Sequence, residues 1–112
     1  MDEERLDDVS DCFCADGTFS FPMLDDPVVG HEALRAFFAA HVGRFSSHVD
    51  RVTRVIVSGD QAISKLVFDA TTNDGRPVHL ENCNVYEFRG GKFAHARVYA
   101  DSYELRRQFG ID

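Results

Sequence analysis

Tryptophan is absent from this chain, proline occurs three times and methionine twice, whereas phenylalanine occurs ten times. A core or cavity wall built from this composition consists of plain aromatic faces. Positive charge is short as well: 12 Lys and Arg stand against 19 Asp and Glu, a formal net charge of −7. That balance argues against a nucleic-acid partner, whose phosphates call for clustered cations. No apolar run approaches the ~20 residues of a membrane span, so no membrane partner is expected. Nor does a basic segment lead into an apolar stretch at the start, so no signal peptide is visible. Cysteine is limited to Cys12, Cys14 and Cys83. One C-x-C and a distant third thiol suit neither a zinc site nor a disulfide framework, and read as reduced thiols of a cytoplasmic protein. A nucleophilic Cys83 would have only His79 or His95 to activate it. Repeats, low-complexity tracts and linkers are also missing, which leaves a single domain over residues 1–112.

What is present suffices for a fold. At 112 residues and 44% hydrophobic content, the chain can bury a real core. Leu6, Val9 and Phe13 stand at helical spacing among acids and predict an amphipathic helix over 4–14, ended near Asp16-Gly17. Thr18 to Phe21 reads as a short strand stopped by Pro22, and 23–30 as a loop. Leu34, Phe37, Phe38, His41, Val42 and Phe45 form one apolar stripe, predicting a helix over 31–45. Val49 to Val57 and Gln61 to Thr72 read as long strands joined by Ser58-Gly59-Asp60.

The most informative stretch is the last third, His79 to Asp101. Two runs rich in aromatic and β-branched residues flank Gly90-Gly91, the mark of a β-hairpin. A short tail follows from Ser102, with one helical turn expected through Leu105. The order of elements implies an α+β fold, with helices packed on one face of a curved antiparallel sheet.

Two titratable residues stand out. His41 lies on the apolar stripe of its helix, where a half-buried imidazole is either a lining residue or a proton carrier. Asp69 interrupts Leu66-Val67-Phe68. Facing inward it would be a desolvated base, and facing outward an ordinary surface acid. Alternation leaves both open, because each face of that strand holds apolar residues.

The runs F-C-A-D-G-T-F-S-F-P, G-H-E-A-L-R-A-F-F, G-D-Q-A-I, D-G-R-P-V and V-Y-E-F-R-G-G-K-F-A-H-A-R-V-Y-A-D resemble the SnoaL-like polyketide cyclases of the nuclear transport factor 2-like superfamily. The likeness runs from about Leu6 to Phe109. It implies a cone-shaped curved sheet wrapped by helices around an apolar pocket, with a homodimer through the outer sheet face. The family's usual longer first helix is shortened or missing here. Members include cyclases, isomerases, epoxide hydrolases, dehydratases and non-catalytic binders, so the fold alone is a weak guide to chemistry.

The resemblance also tests positions. Ketosteroid isomerases carry their base just before the first-strand proline, where this chain has Phe21. Their second oxyanion donor falls on Asn84, whose amide can still donate. The cyclases place a His at Asn84 and an Asp at Val98, and valine accepts no proton. Asp101 matches a position that looks structural.

The resemblance turns Asn82, Asn84, Tyr86, Ala96, Val98 and Ala100 inward, provided that the hairpin carries a bulge. Phe21, Phe37, Phe38 and His41 then close the pocket from the other side. His79, Glu81, Cys83, Phe93, His95, Arg97, Tyr99 and Asp101 fall on the outer, dimer-forming face. A metal site from His79, Glu81 and His95 is the minor alternative there; no cofactor is otherwise expected. Two functions follow. One is a pocket protein binding a hydrophobic, ring-bearing or carbonyl compound through Asn82, Asn84, Tyr86, Val98, Phe21, Phe37 and Phe38. The other is a lyase, isomerase or cyclase using His41 or Asp69 as base, with Asn84 and Tyr86 as oxyanion donors.

Overall fold

The computed structural model describes residues 8–110. Residues 8–11 are helical. They are followed by β1 (Phe13–Ser20), β2 (Val28–Val29), α1 (His31–Val42), β3 (Phe45–Ser58), β4 (Gln61–Thr72), β5 (Pro77–Arg89), β6 (Lys92–Tyr99) and α2 (Ser102–Phe109). The fold is α+β, as expected. Its single sheet has the order β2-β1-β6-β5-β4-β3 and stays open between β2 and β3. The strands from β3 to β6 form an antiparallel meander, whereas β1 returns to pair parallel with β6. Among the described residues, no helix is long and apolar enough to cross a membrane.

The hairpin turn is made by Gly90 and Gly91, at φ +62° and +79°. Two successive left-handed residues suit the tight two-residue turn that follows the twist of its strands, and glycine adopts them without a Cβ clash. The register shifts between Glu87 and Phe88, leaving Ala94 without an opposite partner, and beyond the shift Asn84 pairs with Val98 and Tyr86 with Ala96. Directly paired residues share a face. The bulge therefore sets Asn84 and Val98 on one side, as expected, but it also corrects one residue. Phe93 lies before the extra residue, turns inward and packs on Phe13 and Tyr86 at ring separations of 5.3 and 4.8 Å.

Three helix boundaries differ from those predicted, and the loop expected over 23–30 contains β2. The helix expected over 4–14 falls partly on residues outside the described ones. Within them, helix gives way to strand at Phe13 rather than near Gly17. Phe13 continues the helical spacing of Val9, but its burial comes from pairing with Phe93. β1 then changes register between Phe13 and Thr18. Gly17 sits in that irregularity, where a Cβ would come within 2.9 Å of the Cys14 carbonyl oxygen and 3.0 Å of the Phe93 carbonyl oxygen. Second, α1 ends at Val42 before Gly43, and Phe45 starts β3 instead of completing the helical stripe. Third, the tail forms two turns of helix. Asp101 caps it, accepting from the backbone N–H groups of Tyr103 and Glu104 at 3.0 and 3.1 Å.

Two apolar clusters result. Phe45, Phe68, Ala70, Val78, Leu80, Leu105 and Phe109 join α2 to the β3–β5 meander. Phe13, Leu34 and Ala96 join α1 to β1 and β6. The α2 contact is reinforced where the His79 backbone N–H donates to Gln108 Oε1 at 2.6 Å.

Candidate functional site

Between the two clusters the concave face of the sheet encloses a cavity of about 370 Å³. Its lining follows from strand alternation. On β4 the even-numbered residues Ala62, Ser64, Leu66, Phe68 and Ala70 pair with Tyr86, Asn84, Asn82, Leu80 and Val78 of β5. Those pairs form the inner face. Asn82, Asn84, Tyr86 and Val98 all line the cavity, with Phe21, Phe37, Phe38 and His41 opposite them. The structure thus brings these residues together; Ala96 and Ala100, expected in the same wall, pack in the two apolar clusters instead, and Asp69 lies elsewhere.

Asp69 is the correction. It lies between the inward Phe68 and Ala70 and pairs with Val49 and His79 across the outer face. His79 Nδ1 is 2.6 Å from Asp69 Oδ1, and Arg51 Nη2 donates to Oδ2 at 2.9 Å. These bonds, from His79 first and Arg51 second, hold the carboxyl below the usual range. A solvated carboxylate outside the cone cannot serve as a base inside it. The outer face also takes His79 and His95 away from the metal alternative. His79 is bonded to Asp69 and His95 Nδ1 to Thr18 Oγ1. Among the described residues no group of His, Cys, Asp and Glu is arranged to hold a metal ion.

His41 stands among rings. Its centroid lies 5.4 to 6.3 Å from those of Phe21, Phe37, Phe45, Phe68 and Phe109. Burial lowers its pKa to about 4, with smaller contributions from Arg44 and His48. The imidazole is therefore neutral at physiological pH. It can accept a proton only weakly, but it lines the cavity without adding charge.

The neutral polar groups form a short chain across β4 and β5. Asn84 Nδ2 donates to Tyr86 Oη at 3.1 Å, and Tyr86 Oη shares a bond with Ser64 Oγ at 3.1 Å. The Oδ1 atoms of Asn82 and Asn84 are buried and accept no hydrogen bond from the described residues. An unmet buried acceptor costs about 1–3 kcal/mol, so this wall is built to be completed by a donor.

Two polar lining residues escaped the sequence reading. His48 and Asp50 both point from β3 into the cavity. Their register opposite Ala70 and Phe68 puts them on the inner face. Asp50 stands at the mouth, so solvent still reaches it. Desolvation by the cavity walls nevertheless raises its carboxyl above the ordinary value, and His48 pulls part of that back. The available signal was the H-x-D spacing, which puts both side chains on one face of a strand. A strand starting at Val49 leaves His48 out by one residue, whereas β3 starts at Phe45.

Comparison with known proteins agrees with this architecture. A family model described as a SnoaL-like domain matches residues 1–96. No curated protein matches the chain. An NTF2-like protein of unknown function from Burkholderia pseudomallei is similar at 20% identity and TM-score 0.86, over 95% of this chain and 86% of that one. An LEH-like epoxide hydrolase of M. tuberculosis is similar at 17% identity and TM-score 0.76, over 95% and 77%. TerC, co-crystallized with polyporic acid, is similar at 16% identity and TM-score 0.85, over 96% and 88%. At these identities the likeness is one of fold. With the family model spanning most of the chain, the protein belongs to the SnoaL-like domain family.

Proposed function

We propose that this protein binds a hydrophobic, ring-bearing small molecule in the cone, oriented by Asn82, Asn84 and Tyr86. The observation that carries this reading is the convergence of those neutral polar groups on an otherwise aromatic and aliphatic cavity of about 370 Å³. Such a site has room for a two- or three-ring compound and few groups to fix its orientation. The two unmet amide oxygens favour a ligand with hydroxyl or N–H donors at its polar end. Asn84 Nδ2 carries a second N–H besides the one it donates to Tyr86 Oη, which suits a carbonyl oxygen as well. The polyporic acid co-crystallized with TerC is a small molecule taken by the same fold, which supports the ligand class by analogy. The test is thermal unfolding against a panel of bicyclic phenols and ketones. A ligand that binds only the folded chain raises the midpoint with concentration. A panel that leaves it unmoved at millimolar concentration would overturn the reading.

Two further parts belong to the proposal. One is a homodimer through the outer sheet face, supported by exposed Ile56, Ile63 and Tyr99 beside Arg97, whose guanidinium lies 5.6 Å from the Tyr99 ring centroid. The other is a reducing, cytoplasmic setting, which Cys12, Cys14 and Cys83, all free, support.

The second reading is an enzyme that moves a proton. It is favoured by the titratable group on the β3 side of the cavity, where Asp50 and His48 face the same space as His41.

A further inference from the structure

We infer that the free edge of β3 at Val55, Ile56 and Val57 is an association surface, on which a second copy of this chain adds its own β3 antiparallel and continues the sheet. The two edges of the sheet are unlike. β2 closes one side with the two residues Val28–Val29, whereas β3 closes the other with the whole of Phe45–Ser58. Natural sheets shorten, charge or cover their edges, because an open row of N–H and C=O groups pairs with any strand that matches it. From Val49 to Ser58, β3 is exposed on both faces. Arg51, Arg54 and the register shift between Val52 and Arg54 blunt its middle. Beyond them come three consecutive β-branched residues, Val55, Ile56 and Val57, with 58%, 49% and 67% of their surface exposed. Neither a proline nor a charge interrupts this run.

The turn fixes which backbone groups face the free edge. Ser58 pairs with Gln61 across Gly59 and Asp60, and Gly59 has φ +57° while Asp60 does not enter positive φ. That is the two-residue hairpin with glycine at its first central position. The pair closing such a turn exchanges its backbone hydrogen bonds, and bonded pairs alternate with unbonded ones along an antiparallel ladder. Ile56–Ile63 is then a bonded pair, and Val55–Ser64 and Val57–Ala62 are unbonded ones. The N–H and C=O groups of Val55 and Val57 therefore point away from β4, toward the open edge.

A two-fold axis at Ile56, normal to the sheet, satisfies these groups together. Val55 of each copy lies opposite Val57 of the other, and the two pairs exchange about four backbone hydrogen bonds. Val55 and Val57 share the inner face, as Ser64 and Ala62 opposite them do, so like faces meet. Ile56 meets Ile56 on the outer face as an unbonded pair, with Cα atoms about 4.5 Å apart. Arg54 falls opposite Ser58, one diagonal step from Asp60 of the other copy. Within its own chain Arg54 stands beside Lys65, so the incoming acid meets two adjacent cations. This charge match is what selects a second copy and the register. An axis at Val55 would set Arg54 against Ile56 and lose the acid. A contact confined to Arg54–Ser58 is small, so the association is weak and depends on concentration. It is separate from the outer-face dimer, because edge pairing leaves Arg97 and Tyr99 of β6 uncovered.

The test is sedimentation equilibrium of the intact chain, following the average mass from about 20 μM to about 500 μM. The wild-type mass rises toward twice its low-concentration value. Val57→Lys puts a charge on the edge without touching the β4 ladder, and its mass stays at the low-concentration value throughout. Val57→Pro removes an edge-facing N–H and has the same effect. Circular dichroism shows that each variant is folded, and Val57→Lys carries the test if the proline variant is not. Arg97→Glu acts on the outer face and leaves the rise in mass intact, which separates the two contacts. Ile56→Cys gives a readout of register. Under mild oxidation it links two copies through the peptides carrying position 56, whereas Val57→Cys, offset from its own copy, does not. A flat wild-type mass, a rise of equal size in Val57→Lys, or no link at position 56 each overturns the edge pairing.

Discussion

At the scale of single residues, burial decides which polar groups keep their ordinary behaviour. His41 has a pKa of about 4 in the folded chain against 6.5 unperturbed. Between those values the unfolded chain binds a proton that the folded chain does not. The contribution of neutral His41 to stability is therefore complete above about pH 6.5. It falls as pH drops, to a loss of about 3 kcal/mol below pH 4. Denaturant unfolding at pH 7 and pH 4 should show this difference. His41→Phe, which adds one more ring to the cluster, should lose less stability on acidification by a similar amount. Equal pH dependence in the two proteins would show that His41 is not the group responsible. Asn84 lies on the opposite wall and is expected to act on ligand rather than on fold. Asn84→Leu should weaken oxygen-bearing ligands by about 1–3 kcal/mol, read by calorimetric titration. It also removes the donor to Tyr86 Oη, leaving that hydroxyl to its bond with Ser64.

At the scale of elements, caps and close approaches hold the cavity walls in place. α2 closes one end through Leu105, which is 1% exposed, and Phe109. Asp101→Ala removes two capping bonds and should cost about 1 kcal/mol. Gly17→Ala should cost more, because its Cβ meets backbone carbonyls on both β1 and β6, which cannot move independently. Chemical denaturation compares the two. The same elements show what could be read from sequence. β4 spans Gln61–Thr72 as predicted, and the Gly90-Gly91 hairpin and the start of α1 are also where the residue pattern put them. These are local signals: glycines between β-rich runs, and a periodic stripe after Gly30. The start of β1 at Phe13 and its parallel pairing with β6 are long-range facts, decided by a strand about eighty residues away. Asp69 and Asp50 illustrate the same limit within the site. Each stands in a strand with apolar residues on both faces, so alternation alone could not tell an inner from an outer carboxylate. Pairing with Phe68 turns Asp50 in, and pairing with Val49 and His79 turns Asp69 out.

At the scale of the molecule, the open sheet has two faces with different work. The outer face combines exposed Ile56, Ile63 and Tyr99 with the Arg51–Asp69–His79 cluster. If it is the dimer face, light scattering at micromolar concentration gives twice the chain mass of 12.6 kDa. Arg97→Glu then shifts the chain toward monomer. A monomer in the wild type would remove that part of the proposal. The inner face carries the central claim, that the cavity binds a ring-bearing compound through Asn84 and its neighbours. The most direct measurement is NMR titration of the wild-type chain and Asn84→Leu with one bicyclic phenol, 2-naphthol. The account predicts saturable shifts confined to cavity-lining residues and an affinity about tenfold weaker in the variant, the equivalent of ~1.4 kcal/mol. Shifts confined to the outer face, or equal affinity in the two proteins, would contradict it.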